Sequence, residues 1–392
     1  MKKLIILFGA VVVLGGIALY IYGRYGGKST FVALPTYFTY SDSELTAIKG
    51  ISSDQTLTSD DLYRWDRTSF ELVSKNTLRK DFNEESSKIY AYLAVAQRDF
   101  AFLSFNHTKG VFAGNIDPLS KEVLCTFSLL DCESVAMHGS SDAYSEALSK
   151  IVFAKVQERM SQDKAGLTPY PILKGEQYWD GPQPSIGIEN GNSKGWFITS
   201  GDQFRAPPPP AFNSPEFKAQ LKMTQDALRG ATAEQKHATV FWAGGPGTKT
   251  PPGQLLELGD TYMKEKGVPV KKVLLVRSVL TMAVADAVTA VFDSKYTYFV
   301  RRPFMMDPTI VTIMPTPNHP SYAAGHSTLS TAGATVLIGY FPEDTVLWKA
   351  KALEAGMSRI WGGIHYMMDH EAGVVIGEQV GKEALKASSS EE

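Results

Sequence analysis

The amino-acid sequence predicts a mostly α protein: a helical bundle with a long Pro/Gly-rich loop, preceded by one N-terminal transmembrane helix. Three observations predict it. Apolar residues recur at helical spacing from about residue 83 onward, helix start and stop signals repeat along the same stretch, and one uncharged apolar run of membrane length stands at the N-terminus.

Taken in order, Lys2 and Lys3 precede the apolar run Leu4 to Tyr22, and Arg24 and Lys28 follow it. At the rise of an α-helix the run spans roughly 28 Å, close to the hydrocarbon thickness of a bilayer. A cleaved secretory segment is shorter and ends at a small-residue site, so residues 1–27 read as an uncleaved anchor with its span at 4–22. Basic residues balance across the run, which leaves its orientation open under the positive-inside rule. We expect the bulk of the chain to be exported, as an extracytoplasmic (periplasmic) domain. Residues 28–82 carry scattered Thr, Ser and Asp without a sustained period and are expected to form an irregular arm.

The helical domain is expected over 83–388. Ile89, Leu93, Ala96 and Phe100 share a face, as do Val123, Phe127, Leu130 and Ser134 in a stretch opening at Pro118. Cys125 and Cys132 fall in that second stretch. Two helical turns would hold their Cα atoms about 10.5 Å apart, too far for a disulfide, so they read as two small buried apolar groups. Ser214 before Pro215 is an N-cap with proline in the first turn, and Gly230 closes that helix. Thr232 with Gln235 has capping-box spacing for a helix running to Trp242. A long helix follows Pro269, its stripe marked by Val273, Val276, Leu280, Val284, Ala287 and Val291.

Between these helices, 166–213 is rich in Pro, Gly and Asn and includes Pro207 to Pro210, which excludes helix interior. A loop of that length is either a binding lid or a surface wrap. Composition adds one exclusion. A net charge of -2 gives no basic face for nucleic acid, so any positive charge that matters is local.

Local positive charge is found near the C-terminus. Lys295 precedes Arg302-Pro303, Gly325-His326 follows, and Ser358-Arg359 is followed by His365 and Asp369. These spacings resemble the signature of the type 2 phosphatidic acid phosphatase and vanadium haloperoxidase superfamily. The flanks, Ala285-Asp286-Ala287 and His319-Pro320-Ser321-Tyr322, resemble its bacterial haloperoxidase-related branch. The resemblance implies an oxyanion site within 286–373. Lys295, Arg302, Gly325 and Arg359 would bind phosphate or vanadate, and His365, His326 and Asp369 would be catalytic. His319 stands where bromide-using members carry a histidine and is a candidate halide residue.

Elementary chemistry agrees. An oxyanion passing through a five-coordinate state needs fixed cations at its equatorial oxygens, which two arginine forks and a lysine supply. His365 and Asp369 lie one helical turn apart, so the carboxylate can take one ring N–H and leave the other lone pair for the oxyanion. His365 is then the nucleophile, and His326, at the start of a helix running to Phe341, is the acid that protonates the departing group.

Two reactions are implied for one site. The first is phosphate-ester hydrolysis through a phosphohistidine, with no cofactor. The alternative is a vanadate held by His365 that uses peroxide to oxidise halide. A non-catalytic anion-binding module is a third reading. A metal site built from His365, Asp369 and His370 with His319 or His326 is disfavoured, because three nearby cations oppose a metal ion. One departure matters: the family serine of the middle block is Ala324 here, so one hydroxyl donor to the anion is missing. The helix after His326 carries Ser327, Thr328, Ser330 and Thr331, so only 4–22 is expected to span the membrane, and the substrate can be a soluble ester or a lipid.

Overall fold

Long stretches of Val, Leu and Ala with every polar residue paired internally make a helix that belongs in a protein core. The computed structural model describes residues 32–76, 82–127, 135–164, 167–245 and 247–389. The anchor at 4–22, Leu130 and Ser134 lie outside the described residues. Among the described residues the helices are α1 (Ser59–Lys75), α2 (Phe82–Thr108), α3 (Asp117–Thr126), α4 (Ala143–Lys164), α5 (Pro215–Arg229), α6 (Ala233–Phe241), α7 (Thr250–Glu265), α8 (Val270–Tyr298), α9 (Gly325–Tyr340), α10 (Thr345–Trp361) and α11 (Met367–Ser388). The described residues contain no strand, only isolated bridges at Thr56–Ala113 and Tyr178–Val300.

The 29-residue α8 is the axis of the bundle, packed against α2, α7, α9 and α11. It is apolar and long enough to cross a membrane, yet its apolar window is wholly buried inside the protein. Its buried Arg277 is neutralised in place: it forks onto Asp66 of α1 at 2.5 and 2.7 Å, with Asp260 of α7 at 3.6 Å. Such a buried triad fixes which helices meet, because an unpaired charge there would cost several kcal/mol, about 3–5.

α9 and α11 form the closest pair, and glycine is the reason. A Cβ added at Gly373, Gly377 or Gly381, one turn apart on α11, would stand 2.3–2.9 Å from backbone atoms of α9 or of Ala324 before it. This approach brings the start of α9 beside the start of α11.

Three expectations need correction. Residues 59–75 of the supposed irregular arm form α1, opened by a capping box between Thr58 and Asp61 and burying Leu62, Trp65, Phe70 and Val73. The aspartate at the third helical position stood in for the usual Glu or Gln. Cys125 is disulfide-bonded. α3 stops at Thr126, so the assumption of unbroken helix across both cysteines, which had forbidden a bond, does not hold. Finally, His365 lies outside a helix: α11 starts at Met367, with Tyr366 as its N-cap.

The predicted caps are present. Ser214 accepts from Phe217 N to open α5, Thr232 and Gln235 form the capping box of α6, and α8 begins after Pro269. The long 167–213 segment holds only two short 3-10 turns and runs as a strap along α8. Asp286 accepts the N–H groups of Trp196, Phe197 and Ile198 at 2.7–3.1 Å. Two turns on, Asp293 takes a forked pair from Arg205 at 2.7 and 2.8 Å and the hydroxyl of Tyr170 at 2.7 Å. Gly191 lies so close that a Cβ would stand 2.6 Å from the backbone of Asp293.

Candidate active site

The end of α8 supplies Lys295, the turn Pro303–Met306 is capped by Arg302, the end of α10 supplies Arg359, and the starts of α9 and α11 face one another. Lys295 and Arg302 are 0% exposed and Arg359 is 1% exposed. Burial at that level excludes their reading as surface charge.

Lys295 Nζ donates to the carbonyls of Pro320, Ser321 and Ala323 at 3.0, 2.8 and 2.6 Å, so the loop 320–323 is folded around its charge. Arg302 donates to the carbonyls of His319 and Ile364, both at 2.9 Å, and faces His319 Nδ1 at 3.0 Å and His365 Nε2 at 3.4 Å. Arg359 donates to Ser358 Oγ, Met314 Sδ and the carbonyl of Thr239 at 2.9, 2.9 and 2.6 Å. Among the described residues no carboxylate pairs with Arg302 or Arg359 within 4 Å. Burial without a counter-charge pulls Arg302 down to about 10, with Asp369 partly opposing, and Arg359 down to about 9.

His365 Nδ1 meets Asp369 Oδ2 at 2.8 Å. A carboxylate accepts, so the ring carries its proton on Nδ1 and turns the Nε2 lone pair toward Arg302. His326 Nε2 meets the carbonyl of Trp242 at 2.7 Å and must donate there, which puts its proton on Nε2. Burial, reinforced by the surrounding cations, holds His319, His326 and His365 well below the usual histidine range; all three are neutral near pH 7. Asp369 is pushed up by its burial, against the opposing pull of Ser321, Tyr366 N–H, Lys295 and Arg302.

Ala324 is fully buried at the N-cap of α9 and offers no side-chain cap. Its N–H donates to the carbonyl of Asp369 at 2.9 Å. Beside it, a Cβ on Gly325 would meet nothing within 4 Å. Open space at a helix N-terminus, where N–H groups lack intrahelical partners, suits an anion. His370, considered as a metal ligand, turns away to Ser327 Oγ at 2.9 Å. Among the described residues no His, Cys, Asp and Glu cluster fit to hold a metal ion is present.

Arg302, His319, His365 and Asp369 are joined by direct contacts, Lys295 shares the carbonyl of Pro320 with Arg302, His326 lies within electrostatic reach of Lys295, Arg302 and His365, and Arg359 within reach of His326. Sequence reasoning missed Ser321, whose hydroxyl donates to Asp369 Oδ2 at 2.5 Å. It also missed the carbonyls of Thr239 and Trp242 at the end of α6; main-chain acceptors leave no residue-type signal.

Comparison with known proteins follows the same boundaries. Residues 274–389 match the model of the PAP2 superfamily. Over 106 residues the chain is 24% identical to the bacitracin transport permease protein BcrC of Bacillus licheniformis, covering 27% of this chain and 51% of that protein. The chain thus spans about half the length of that relative. The crystal structure of a bacterial vanadium-dependent iodoperoxidase superposes with a TM-score of 0.70 over 86% of this chain and 98% of that one, at 20% identity. A holo-type bacterial vanadium-dependent chloroperoxidase gives 0.53 over 93% and 99%, at 13% identity. At these identities the likeness is one of fold, and it extends through the helices that precede the matched segment. The match to the PAP2 superfamily is thus confined to residues 274–389, the part of the chain that carries every clamp and histidine of the candidate site.

Proposed function

We propose that the protein hydrolyses phosphate esters through a phosphohistidine at His365. One observation carries the reading: buried Arg302 faces the Nε2 lone pair of His365 at 3.4 Å with buried Lys295 within electrostatic reach, and the carboxylate beside them, Asp369, is already committed to that histidine. Such a site is complementary to a dianion and to the charge that spreads over its equatorial oxygens in transfer.

In the first step the Nε2 lone pair of His365 attacks phosphorus, the P–O ester bond breaks, and His326, which takes up a second ring proton when the dianion binds, gives one proton to the leaving oxygen and becomes neutral. In the second, His326 takes a proton from water, the water oxygen adds to phosphorus, and the P–N bond breaks to release phosphate and restore both rings. Asp369 stabilises His365 as it becomes positive. The bound dianion offsets the cations that depress His326 and so makes its proton available where it is needed.

A second reading rests on His319, which lies against Arg302 at 3.0 Å and packs on Phe292 with ring centroids 5.3 Å apart. Lys295, Arg302, Arg359 and His365 also fit vanadate, which when bound would supply peroxide activation for halide oxidation. Ala324 weighs against it: with one hydroxyl fewer, a trace oxyanion is held less tightly than a substrate in excess.

The domain is proposed to be tethered through 4–22 and to face an oxidising compartment, a placement supported by the disulfide at Cys125. Purified full-length protein in detergent should release phosphate from p-nitrophenyl phosphate, with chelator present, and yield an acid-labile phosphoprotein on rapid quenching. Bromide oxidation at many turnovers by the vanadate-saturated protein, without hydrolysis, would put the second reading first.

A further inference from the structure

The carboxylate behind His365 is loaded unevenly. Asp369 Oδ2 accepts from His365 Nδ1 at 2.8 Å, from Ser321 Oγ at 2.5 Å and from Tyr366 N at 3.1 Å. Oδ1 is buried and has no hydrogen-bond partner. Ser321 is itself 0% exposed and held at both ends of its backbone: its N–H donates to the carbonyl of Val300 at 2.9 Å, and its carbonyl accepts from Lys295 at 2.8 Å. Its Oγ also stands 3.3 Å from His365 Nδ1.

This arrangement decides where a proton can go. On Oδ1 it would find no acceptor in a buried site, which is costly. On Oδ2 it would have His365 Nδ1 as an acceptor, but there the hydroxyl of Ser321 and the N–H of Tyr366 already point in. Were that oxygen protonated, it would donate to Nδ1, move the ring proton to Nε2 and remove the lone pair that must face the oxyanion. We propose that Ser321 is a positioning residue for the His365–Asp369 pair: its hydroxyl keeps Oδ2 an acceptor and so holds His365 in the Nδ1–H tautomer. The inference rests on the phosphohistidine reading for its purpose, though not for its test. The charged and titratable groups facing Asp369 are Lys295 from α8, Arg302, His365, Tyr366 and Tyr322. The two cations oppose protonation, and Ser321 adds a neutral donor at the one oxygen that matters.

The experiment is a pH titration of the ring 15N shifts of His365 in full-length protein without added ligand, in wild type, Ser321→Ala and Ser321→Cys. Wild type should show a protonated Nδ1 and bare Nε2 at neutral pH and leave that state only toward the acid end of the titration. Ser321→Ala should leave that state, on acidification, at a pH about one unit higher, because a donor to a charged acceptor has been lost. Ser321→Cys, with a weaker donor of similar size, should fall between and covers the case in which the alanine variant does not fold. Ser327→Ala, a buried serine bound to His370, should match wild type. Superimposable His365 titrations in wild type and the Ser321 variants would overturn the proposal. The expected shifts in a protein that hydrolyses nothing would uphold the role of Ser321 and remove the phosphohistidine reading. In an active protein, the acid limb of kcat should move with the 15N titration while KM stays within about twofold.

Discussion

Arg359 donates to the carbonyl of Thr239 at 2.6 Å, which ties the third clamp of the site to the end of α6. His326 is tied to the same place through Trp242. Carbonyls at a helix C-terminus carry partial negative charge. On the proposed reading they hold these two donors until an oxyanion takes them over.

That exchange has a proton signature. Burial and Arg359 hold His326 below the usual histidine range, and an anion beside it raises it again. Between the lowered and the raised value, binding therefore takes up a proton, and affinity increases as pH falls. Sulfate does not titrate in this range and is the clean probe. Calorimetry in buffers of different ionisation enthalpy should show net proton uptake as pH falls below the ordinary histidine value; uptake of zero there would remove His326 from the anion site.

Replacing His365 with Ala should abolish turnover and leave the thermal transition close to that of wild type. The ring's hydrogen-bond contacts stay within the site, with Asp369, Ser321 and Arg302. Retention of even a tenth of the activity would show that another group attacks phosphorus.

Ala324→Ser restores a hydroxyl at the buried N-cap of α9. A donor worth about 1 kcal/mol should tighten vanadate inhibition of hydrolysis roughly fivefold. Equal inhibition in the two proteins would mean that position 324 does not face the anion.

Asp293→Asn removes the acceptor that holds Arg205 and Tyr170 against α8. Asp293 is buried but Arg205 is about one-third exposed, so the loss should be smaller than for a fully buried pair, about 1–2 kcal/mol, read as a lower thermal midpoint. Because Lys295 lies two residues further along the same helix, KM for a phosphate ester should rise as well. A changed midpoint with unchanged KM would confine Asp293 to stability.

The legible parts of this molecule are those in which residue type and spacing carry the signal. Ser214-Pro215, Thr232 with Gln235 and Pro269 announced their helices because capping chemistry is local. Lys295, Arg302, Arg359, His365 and Asp369 could be picked out because their spacings resemble the superfamily signature, and the structure buries all five. α1 escaped notice because its mixed composition hides a buried face that only packing against α2 and α7 makes visible. The cysteine bond was missed by extending a helix past Thr126, and the bond between Ser321 and Asp369 joins residues 48 apart in sequence.

The staples of the strap on α8 have an evolutionary corollary. Asp286 and Asp293 divide the strap into spans of unequal freedom. The stretch 171–177 is exposed apart from half-buried Leu173, and insertions there should drift freely between homologues, up to buried Trp179, whose N–H donates to the carbonyl of Phe299 at 2.7 Å. Between Gly191 and Arg205 the chain is fastened at Trp196, Phe197, Ile198 and Arg205, and one added residue would pull against the helix that ends in Lys295. Homologous sequences should therefore vary in length on one side of Gly191 and keep a fixed count on the other.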